Sequence, residues 1–412
     1  MIFATKGNKM KYQILQGDNR ETLKTLADNS VDAIVTDPPY GIDFLGKAWD
    51  ANTGALETYQ ECLRVLKPGG HILAFSAART YHHLAVTLEQ AGFEIRDQIM
   101  WIYSSGFPKS QDVGKSIDRS AGKKDPNYGS KKTAKQGNET VGDFSSGARC
   151  GKCNKTFNAD IIKDCKEDPC GMRYTHQTEE GKQWAGWGTA LKPAHEPICM
   201  ARKPMKLSIA KNCQTHGVGA LNIDATRVPY ADEKDKEFIV NTSKTFEQTG
   251  TKWTTTFDAK DETPDSYSVN DQGRFPSNVI GEIADYQKYF YCPKVSRKER
   301  HIGFEDLPKR LCGPGGNDFV QAQDHQRSNT NIGNNHPTVK PIELMKYLIK
   351  LITPPGGKVL DPFNGSGSTG CAAVELGHEY IGCELDPNYV EIAKKRIEAW
   401  NKPDSTFTEL FE

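Results

Sequence analysis

A glycine-rich turn near the carboxyl end of the chain constrains the fold more than any other feature. The turn, Gly365–Gly370, follows a predicted strand, Lys358–Leu360, and overlaps the start of a predicted helix, Thr369–Leu376. A strand, a glycine turn and a helix in this order usually begin a doubly wound α/β sheet. Only 42 of the 412 residues follow Gly370, which is enough for one more strand and helix. The remaining strands must therefore come from an earlier part of the chain.

The amino-terminal third supplies those strands. Its apolar runs alternate with helical patterns and with glycine and proline breakers, an arrangement typical of a parallel sheet. Strands are predicted at Tyr12–Gln16, Asp32–Thr36, His71–Ser76 and Gln98–Tyr103. We therefore expect an α/β fold, a circularly permuted Rossmann-like sheet that both ends of the chain build together.

The middle of the chain lacks this alternation. From about residue 107 to 335, Gly, Lys, Asn, Ser and Thr dominate and no long helix is predicted, which indicates a loop-rich insert. The expected division is one α/β domain formed by residues 1–107 and 333–400, an inserted region at 108–332 and a polar tail at 401–412.

The glycine turn also has the pattern of a nucleotide site. Gly365–Gly370 fits G-x-G-x-x-G, and Glu384 lies 19 residues after Gly365, at the end of the next predicted strand. A carboxylate there can accept hydrogen bonds from both hydroxyls of a ribose. By itself the pattern fits a nicotinamide dinucleotide as well as S-adenosylmethionine, and a tight strand–helix turn needs glycines even without a ligand.

A second motif, Asp37-Pro38-Pro39-Tyr40, favours S-adenosylmethionine. It follows an apolar strand, where ligands usually bind in an open α/β sheet. An exocyclic amine of a base is a poor nucleophile, and two acceptors, an Asp37 oxygen and the Pro38 carbonyl, can hold its hydrogens and aim its lone pair. The prolines stiffen the turn, and Tyr40 offers a face on which a flipped base stacks. The alternative reading is a simple strand-ending turn.

These two motifs resemble those of the amino-methyltransferase family of DNA-modifying enzymes, the bacterial and phage adenine-N6 and cytosine-N4 type. The motif order is similar to the family's β arrangement, in which the catalytic motif comes first, the target-recognition region next and the cofactor motif last. The resemblance covers roughly residues 11–107 and 333–400. It implies an S-adenosylmethionine-dependent methyltransferase sheet with an inserted target-recognition domain.

The resemblance also implies cofactor contacts beyond the glycine turn. Gly17-Asp18 is similar to a strand end whose acid approaches the cofactor adenine, and His336–Pro341 to a segment that contacts its methionine end. Lys340, the Thr338 hydroxyl and a helix N-terminus can hold a carboxylate. The expected cofactor-binding residues are Asp18, Asp37, His336, Thr338, Lys340, Asp361, Pro362, Phe363, Asn364, Gly365, Ser366, Gly367, Thr369 and Glu384.

Asp rather than Ser at position 37 is more similar to the adenine-N6 members, so we predict a sequence-specific DNA adenine methyltransferase of the kind found in restriction–modification systems. Cytosine-N4 methylation by the same machinery is the nearest alternative. A silent DNA-binding relative and a dinucleotide-dependent oxidoreductase are the others. Duplex DNA is the predicted partner, and the resemblance makes a homodimer plausible.

The charge distribution supports a nucleic-acid partner. The net charge is zero, but the stretch from Lys109 to Cys213 contains 20 Lys and Arg against 12 Asp and Glu. The rest of the chain is therefore acidic by the same excess. A basic insert on an acidic body is typical of a DNA-facing segment, and a solvated charged loop is the simpler reading.

Four clustered cysteines in the insert predict a structural zinc ion. Cys150, Cys153, Cys165 and Cys170 form two pairs at spacings that suit tetrahedral zinc. The predicted zinc module spans residues 149–176, and His176 is an alternative ligand. Free thiols in a loop are the competing interpretation.

Two further stretches of the insert are candidates for DNA contact. The run Trp184–Glu196 is rich in aromatic and glycine residues, and it either inserts into DNA, supports the flipped base or forms a small core of the insert. Asn278 and the cluster Lys294–Arg300 are candidates for base or phosphate contacts. No apolar run is long enough to span a bilayer, and we expect the cytoplasm of a bacterial cell or phage-infected host.

Overall fold

The computed structural model describes residues 12–42, 53–103, 110–123, 176–237, 270–281, 299–300, 302–304, 309–311, 329–331, 334 and 339–401. The chain divides into two compact units. The first, the sheet unit, contains residues 1–104, 195–307 and 331–412, and the second contains residues 105–194 and 308–330.

An eight-stranded sheet organises the sheet unit, with the strand order β1-β10-β9-β2-β3-β5-β4-β6. Its strands are β1 (Tyr12–Gln16), β2 (Val31–Thr36), β3 (Leu66–Phe75), β4 (Glu94–Ile102), β5 (His195–Arg202), β6 (Val279–Gly281), β9 (Lys358–Asp361) and β10 (Glu379–Glu384). A separate two-stranded sheet pairs β7 (Lys309–Leu311) with β8 (Asn329–Asn331).

Helices flank the sheet in the same unit. They are α1 (Asn19–Thr22), α2 (Leu56–Val65), α3 (Tyr81–Ala91), α6 (Ile209–His216), α7 (Ile342–Ile352), α8 (Ser368–Glu375) and α9 (Pro387–Trp400). The second unit contains α4 (Val113–Ser120) and α5 (Glu179–Gln183). None of the helices in the described ranges is long and apolar enough to cross a membrane.

The permuted sheet predicted from the sequence is confirmed. Strand β1 runs parallel to β10, with Tyr12 opposite Tyr380 and Gln16 opposite Glu384. Strand β2 pairs in parallel with β9, with Ala33 opposite Val359. The two ends of the chain therefore alternate within one sheet, as the short sequence after the glycine turn requires.

Strand β2 shows why the sheet needs helices on both faces. All six of its residues are buried, which is typical of a strand covered on both sides. Ala33 and Val35 pack in a core cluster that includes much of α7. Ile34 packs on the other side with residues of α2 and α3. The alternation of a strand thus divides its residues between two cores.

Strand β5 comes from within residues 108–332, for which the sequence predicted a loop-rich insert. His195–Arg202 is instead a central strand, antiparallel to both β3 and β4. Residues 195–307 accordingly group with the sheet unit. The apolar run Ile198–Ala201 is only four residues long, and a run that short cannot be identified as a strand by periodicity.

The second unit is organised around a buried carboxylate. Asp118, which is fully buried, accepts hydrogen bonds from the amides of Gln177 at 2.7 Å and Thr178 at 2.9 Å. The Thr178 hydroxyl also donates to it and accepts from the Gly181 amide, so it caps α5. One carboxylate thereby joins α4 to the start of α5.

Candidate active site

The carboxyl ends of the parallel strands meet at one edge of the sheet. Asp37 follows β2, Asp361 ends β9 and Glu384 ends β10, and these three strands run in the same direction. Ligands of open α/β sheets bind at this edge. The sequence predicted all three acids at strand ends, and the structure brings them to the same edge.

Asp361 fixes the glycine loop, by which we mean residues 361–370. Its buried carboxylate accepts from the Thr36 hydroxyl at 2.7 Å and from the Thr369 hydroxyl at 2.6 Å. It also accepts from the Phe363 amide at 3.0 Å. Burial raises the pKa of Asp361 to about 6, although these hydrogen bonds oppose the shift. The loop is thus anchored to the residue that precedes Asp37.

Two glycines of the motif have separate structural reasons. Gly367 adopts a φ of +79°, a left-handed conformation that other residues adopt at a cost. A Cβ atom on Gly370 would lie 2.5 Å from the Ile397 Cδ1 atom and 2.7 Å from the Tyr380 Cε1 atom. The last glycine therefore allows α8 to pack closely against α9 and β10.

Glu384 is held by backbone amides beside the loop. Its carboxylate accepts from the Gly365 amide at 2.8 Å and from the Asp386 amide at 2.9 Å. Burial raises the pKa of Glu384 to about 6. Each carboxylate oxygen has a further lone pair, so the group retains acceptors for ribose hydroxyls, the role predicted from its spacing.

The segment around Asp18 adjoins the same loop. The Gly17 amide donates to the Glu384 carbonyl at 2.9 Å, and the Asn19 amide group donates to the Pro362 carbonyl at 3.0 Å. Asp18 caps α1 and pairs with Arg20 at 2.5 Å. The structure therefore brings Asp18 to the loop; its contact with a cofactor adenine stays a prediction.

Arg396 supports the glycine loop from beneath and was missed by sequence reasoning. This fully buried side chain donates from Nη1 to the Ser366 carbonyl at 2.6 Å and to the Ser366 hydroxyl at 2.9 Å. It also reaches the Ser368 hydroxyl at 3.3 Å. A helical arginine is normally exposed, so α9 gave no sequence signal for this role.

Asp37 is the centre of a charged cluster, by which we mean Asp37, Tyr40, Glu196 and Lys340. The Tyr40 hydroxyl lies 2.9 Å from the Asp37 Oδ1 atom, and the Lys340 ammonium donates to Oδ2 at 2.6 Å. Pro38 is buried within the same turn. Both carboxylate oxygens of Asp37 thus have a neighbouring donor.

Lys340 is almost completely buried, with 7% of its side chain exposed. Its ammonium lies 3.0 Å from the Tyr40 hydroxyl and 4.9 Å from the centre of the Phe75 ring. Burial lowers the pKa of Lys340, but the Asp37 and Glu196 carboxylates outweigh it and raise the pKa above its usual value. The Lys340 ammonium thus forms an ion pair with Asp37. Its contact with a cofactor carboxylate stays a prediction.

Glu196 is the member of the cluster that the sequence did not reveal. Its Oε2 atom lies 2.9 Å from the Tyr40 hydroxyl and 3.5 Å from the Lys340 ammonium. Because β5 is antiparallel, its first residues reach the edge where the parallel strands end. The signal that was available is a charged residue two positions before the short apolar run Ile198–Ala201 of β5.

Tyr40 takes part in the cluster through its hydroxyl. Burial, with the nearby Asp37 and Glu196 carboxylates, raises the pKa of Tyr40 well above its usual value. The phenol is therefore neutral and serves as a donor. Its predicted role as a stacking face for a base is compatible with this anchoring and stays a prediction.

A sequence profile of the N6/N4 DNA methylases, whose description is DNA methylase, matches residues 31–395 of the chain. This chain belongs to that family. The matched span contains the Asp37–Tyr40 motif, the glycine loop and Glu384.

Individual relatives of this DNA methylase differ in how much they share with it. Type II methyltransferase M.HindIII of Haemophilus influenzae is 23% identical over 430 aligned positions, covering 93% of this chain and 94% of that protein. Type II methyltransferase M2.DpnII of Streptococcus pneumoniae is 38% identical over 114 residues, 26% of this chain and 41% of that protein. DNA adenine methyltransferase YhdJ of Escherichia coli is 42% identical over 64 residues, 16% of this chain and 22% of that protein. The matches to the last two span less than half of either relative.

Several predicted site residues of this DNA methylase lie outside the described residues. They are His336 and Thr338 of the cofactor segment and all four candidate zinc ligands, Cys150, Cys153, Cys165 and Cys170. In the described parts of the chain, no group of three or more His, Cys, Asp or Glu could hold a metal ion. Of the predicted zinc module, the alternative ligand His176 is described, and it contacts Asp112 at 3.1 Å. Structural zinc therefore stays a prediction.

The candidate DNA contacts are partly described. Trp184 and Trp187 are exposed, with ring centroids 5.3 Å apart, so these two rings do not form a buried core. The Asn278 amide group donates to the Asp97 carboxylate at 3.2 Å. Residues 294–298 of the basic cluster lie outside the described ranges.

Proposed function

We propose that this DNA methylase is sequence-specific and transfers a methyl group from S-adenosylmethionine to the N6 amine of a flipped adenine in duplex DNA. The observation that carries the proposal is the 2.7 Å hydrogen bond from the Thr36 hydroxyl to Asp361. It joins the residue before Asp37 to the first residue of the glycine loop. An amine held at Asp37 and a cofactor held by the loop would therefore be neighbours.

The residues present fit the cofactor. The buried Glu384 carboxylate keeps lone pairs for ribose hydroxyls while backbone amides fix its position. The loop turns through glycine conformations that allow close approach of a ligand. Asp18 lies near this edge because it follows β1 by two residues, and Gln16, the last residue of β1, lies opposite Glu384. S-adenosylmethionine, when bound there, supplies a methyl group on a positively charged sulfur.

The chain's own residues then prepare the amine. Asp37 and the Pro38 carbonyl accept its two hydrogens, which localises the lone pair on nitrogen. The lone pair would form the bond to the methyl carbon as the electrons of the sulfur–carbon bond pass to sulfur. The proton lost by the methylated amine would pass to the Asp37 carboxylate that accepts it and from there to solvent. Positive charge develops on nitrogen during this step, and fixed negative groups stabilise such charge.

Two considerations favour adenine over cytosine. An aspartate rather than a serine occupies position 37, and a relative that shares a 64-residue segment carries the name DNA adenine methyltransferase. The basic stretch from Lys109 to Cys213 supports duplex DNA as the substrate, with binding that weakens as salt increases. Such a substrate would place the protein in the cytoplasm of a bacterial cell or phage-infected host.

Nucleoside mass spectrometry tests this proposal. The protein is expressed in a host without its own DNA methyltransferases, and the digested DNA is compared with DNA from cells expressing Asp37→Asn. We expect N6-methyladenine with the unaltered protein and far less with the variant. N4-methylcytosine without N6-methyladenine would overturn the assignment to adenine, and no methylated base at all would overturn the proposed activity.

A further inference from the structure

Glu196 reaches the active-site edge from a strand that runs against its neighbours. In the register of β4 and β5, Glu196 lies opposite Trp101, and Phe75 at the end of β3 lies opposite Ile198. The antiparallel direction thus delivers the beginning of β5 to the edge where Asp37 lies. The chemistry described above assigns no role to this residue.

The geometry around Asp37 presents a problem for any amine that has to bind there. Tyr40 lies 2.9 Å from one oxygen of Asp37 and Lys340 lies 2.6 Å from the other. A substrate amine needs at least one of these acceptor positions. Each oxygen keeps a second lone pair, but a group that draws one of the two donors away leaves that oxygen a stronger acceptor for the amine.

Glu196 can do so for both donors. The single hydroxyl proton of Tyr40 has two acceptors at the same distance, because Glu196 also lies 2.9 Å from that hydroxyl. The Lys340 ammonium, with three protons to donate, reaches the Glu196 carboxylate at 3.5 Å. The Tyr103 hydroxyl also hydrogen-bonds Glu196, so this carboxylate has a further partner besides Tyr40 and Lys340.

Glu196 also sets the charge of the cluster. The cluster contains two carboxylates and one ammonium, and their side chains are only 19% exposed for Asp37, 21% for Glu196 and 7% for Lys340. With Glu196 ionised, one negative charge remains after Lys340 is neutralised. Without it, the ammonium would cancel Asp37 and leave a neutral site. Charge effects are strong in such a poorly solvated place.

We propose that Glu196 is a positioning residue for methyl transfer: it withdraws the Tyr40 hydroxyl and shares the Lys340 ammonium, so that Asp37 keeps an acceptor and a net negative charge for the attacking amine. This inference rests on the proposed function, since it assumes transfer to an amine at Asp37. In this role Glu196 does not need to contact the substrate or the cofactor. It acts through Tyr40 and Lys340.

The negative cluster has a second consequence, for ligand binding. The cofactor carries a positive charge on sulfur before transfer, whereas the thioether product, S-adenosylhomocysteine, is neutral. A site with a net negative charge favours the cofactor over the product. Loss of the Glu196 charge should therefore reduce this preference in the protein alone, without any turnover.

The test compares Glu196→Gln with Glu94→Gln. Glutamine keeps the size of glutamate and removes its charge. Glu94 is a matched control on the neighbouring strand, where it pairs with Arg202 at 2.6 Å and is 41% exposed. We expect Glu196→Gln to lower the single-turnover rate of methyl transfer about 10- to 100-fold, the range for loss of a hydrogen bond to a charged group. The KM for DNA should not change.

Calorimetric binding of S-adenosylmethionine and S-adenosylhomocysteine supplies the readout that a merely structural role would not change. Compared with the unaltered protein, Glu196→Gln should bind S-adenosylmethionine more weakly relative to S-adenosylhomocysteine. Glu94→Gln should keep the ratio of the two dissociation constants unchanged. An unchanged rate, or a lower rate with an unchanged ratio and a lower melting temperature, would overturn the role of Glu196. If the unaltered protein transfers no methyl group, the proposed function fails instead.

Discussion

The glycine loop and the charged cluster lie at the same edge of one sheet, yet the chain builds them in opposite ways. The loop is a continuous stretch with an internal hydrogen bond between Thr369 and Asp361, which are eight positions apart. The cluster joins Asp37 to Glu196 and to Lys340, which follows Asp37 by 303 positions. One site is made by local sequence and the other by the topology of the sheet.

The two sites also differ in the forces that hold them. Glycine conformations, backbone amides and hydroxyl groups shape the loop. Its carboxylates accept hydrogen bonds from these amides and hydroxyls. In the cluster, two carboxylates, a phenol and an ammonium hold each other. We therefore expect changes in the loop to act mainly on cofactor affinity. Changes in the cluster should act mainly on the rate of transfer, and loss of a cluster charge should in addition shift the preference for cofactor over product.

The largest expected effect comes from Asp37→Asn. This change keeps the shape of the side chain but replaces an acceptor with a donor that repels the amine. We expect the single-turnover rate to fall about 100- to 1000-fold, as when one stabilising group is removed from a reaction centre. Calorimetry should show a shift in the ratio of the dissociation constants of S-adenosylmethionine and S-adenosylhomocysteine like that of Glu196→Gln, because the variant removes the same charge from the charged cluster.

A surface aspartate provides the control for that variant. Asp28 is 68% exposed and pairs with Arg64, so Asp28→Asn should leave both quantities as they are. Methyl transfer by Asp37→Asn at the rate of the unaltered protein would contradict the assigned chemistry.

Next in size is the effect of Arg396→Met on the glycine loop. Methionine fills the buried space, but the Ser366 carbonyl and hydroxyl lose their donor. We expect the dissociation constant for S-adenosylmethionine to rise about 10- to 100-fold, which matches the loss of a hydrogen bond from a charged group. Lys394→Met, at a 42% exposed position of the same helix, should bind like the unaltered protein, and equal binding by both variants would remove Arg396 from the account.

The parts of the fold and of the site that depend on local sequence patterns could be predicted. The strand ends carrying Asp37, Asp361 and Glu384 were predicted because apolar runs and glycine spacing are visible along the chain. The permutation followed from the short sequence after Gly370. These predictions depend on neighbours in sequence.

Glu196 and Arg396 could not be predicted for the same reason. The role of Glu196 depends on β5 running antiparallel between β3 and β4, and the pairing of distant strands has no local signal. Arg396 looks like an ordinary helical charge until α9 packs over the loop. The roles that depend on the tertiary arrangement appear only in the structure.

A smaller effect is expected from pH, through Glu384. Its pKa is raised to about 6 by burial, and the ionised form is the one that accepts from ribose hydroxyls. Cofactor affinity should therefore be full above pH 7 and fall as the pH drops through 6, by about tenfold per unit below it. Asp361 has a similarly raised pKa and adds to the decline.

Glu384→Gln separates the two acids. The variant should bind S-adenosylmethionine more weakly at pH 7.5 and show a shallower decline toward pH 5, because only Asp361 still titrates. Calorimetry across this range measures both quantities. A decline as steep as that of the unaltered protein would exclude Glu384 as its source.

The smallest expected effect is that of Tyr103→Phe. Its hydroxyl hydrogen-bonds Glu196, and the phenylalanine variant keeps the ring but loses this bond. We expect the transfer rate to fall by about threefold, near the lower end for one hydrogen bond, with unchanged cofactor binding. A loss as large as that of Asp37→Asn would contradict this secondary role and would place Tyr103 within the charged cluster.

The separation of the two sites is tested most directly by the single-turnover rate of Arg396→Met at saturating S-adenosylmethionine. If the loop governs affinity and the charged cluster governs chemistry, enough cofactor should restore the rate to nearly that of the unaltered protein. A rate that stays as low as that of Asp37→Asn at saturation would show that the loop also governs the chemical step, and would contradict the account.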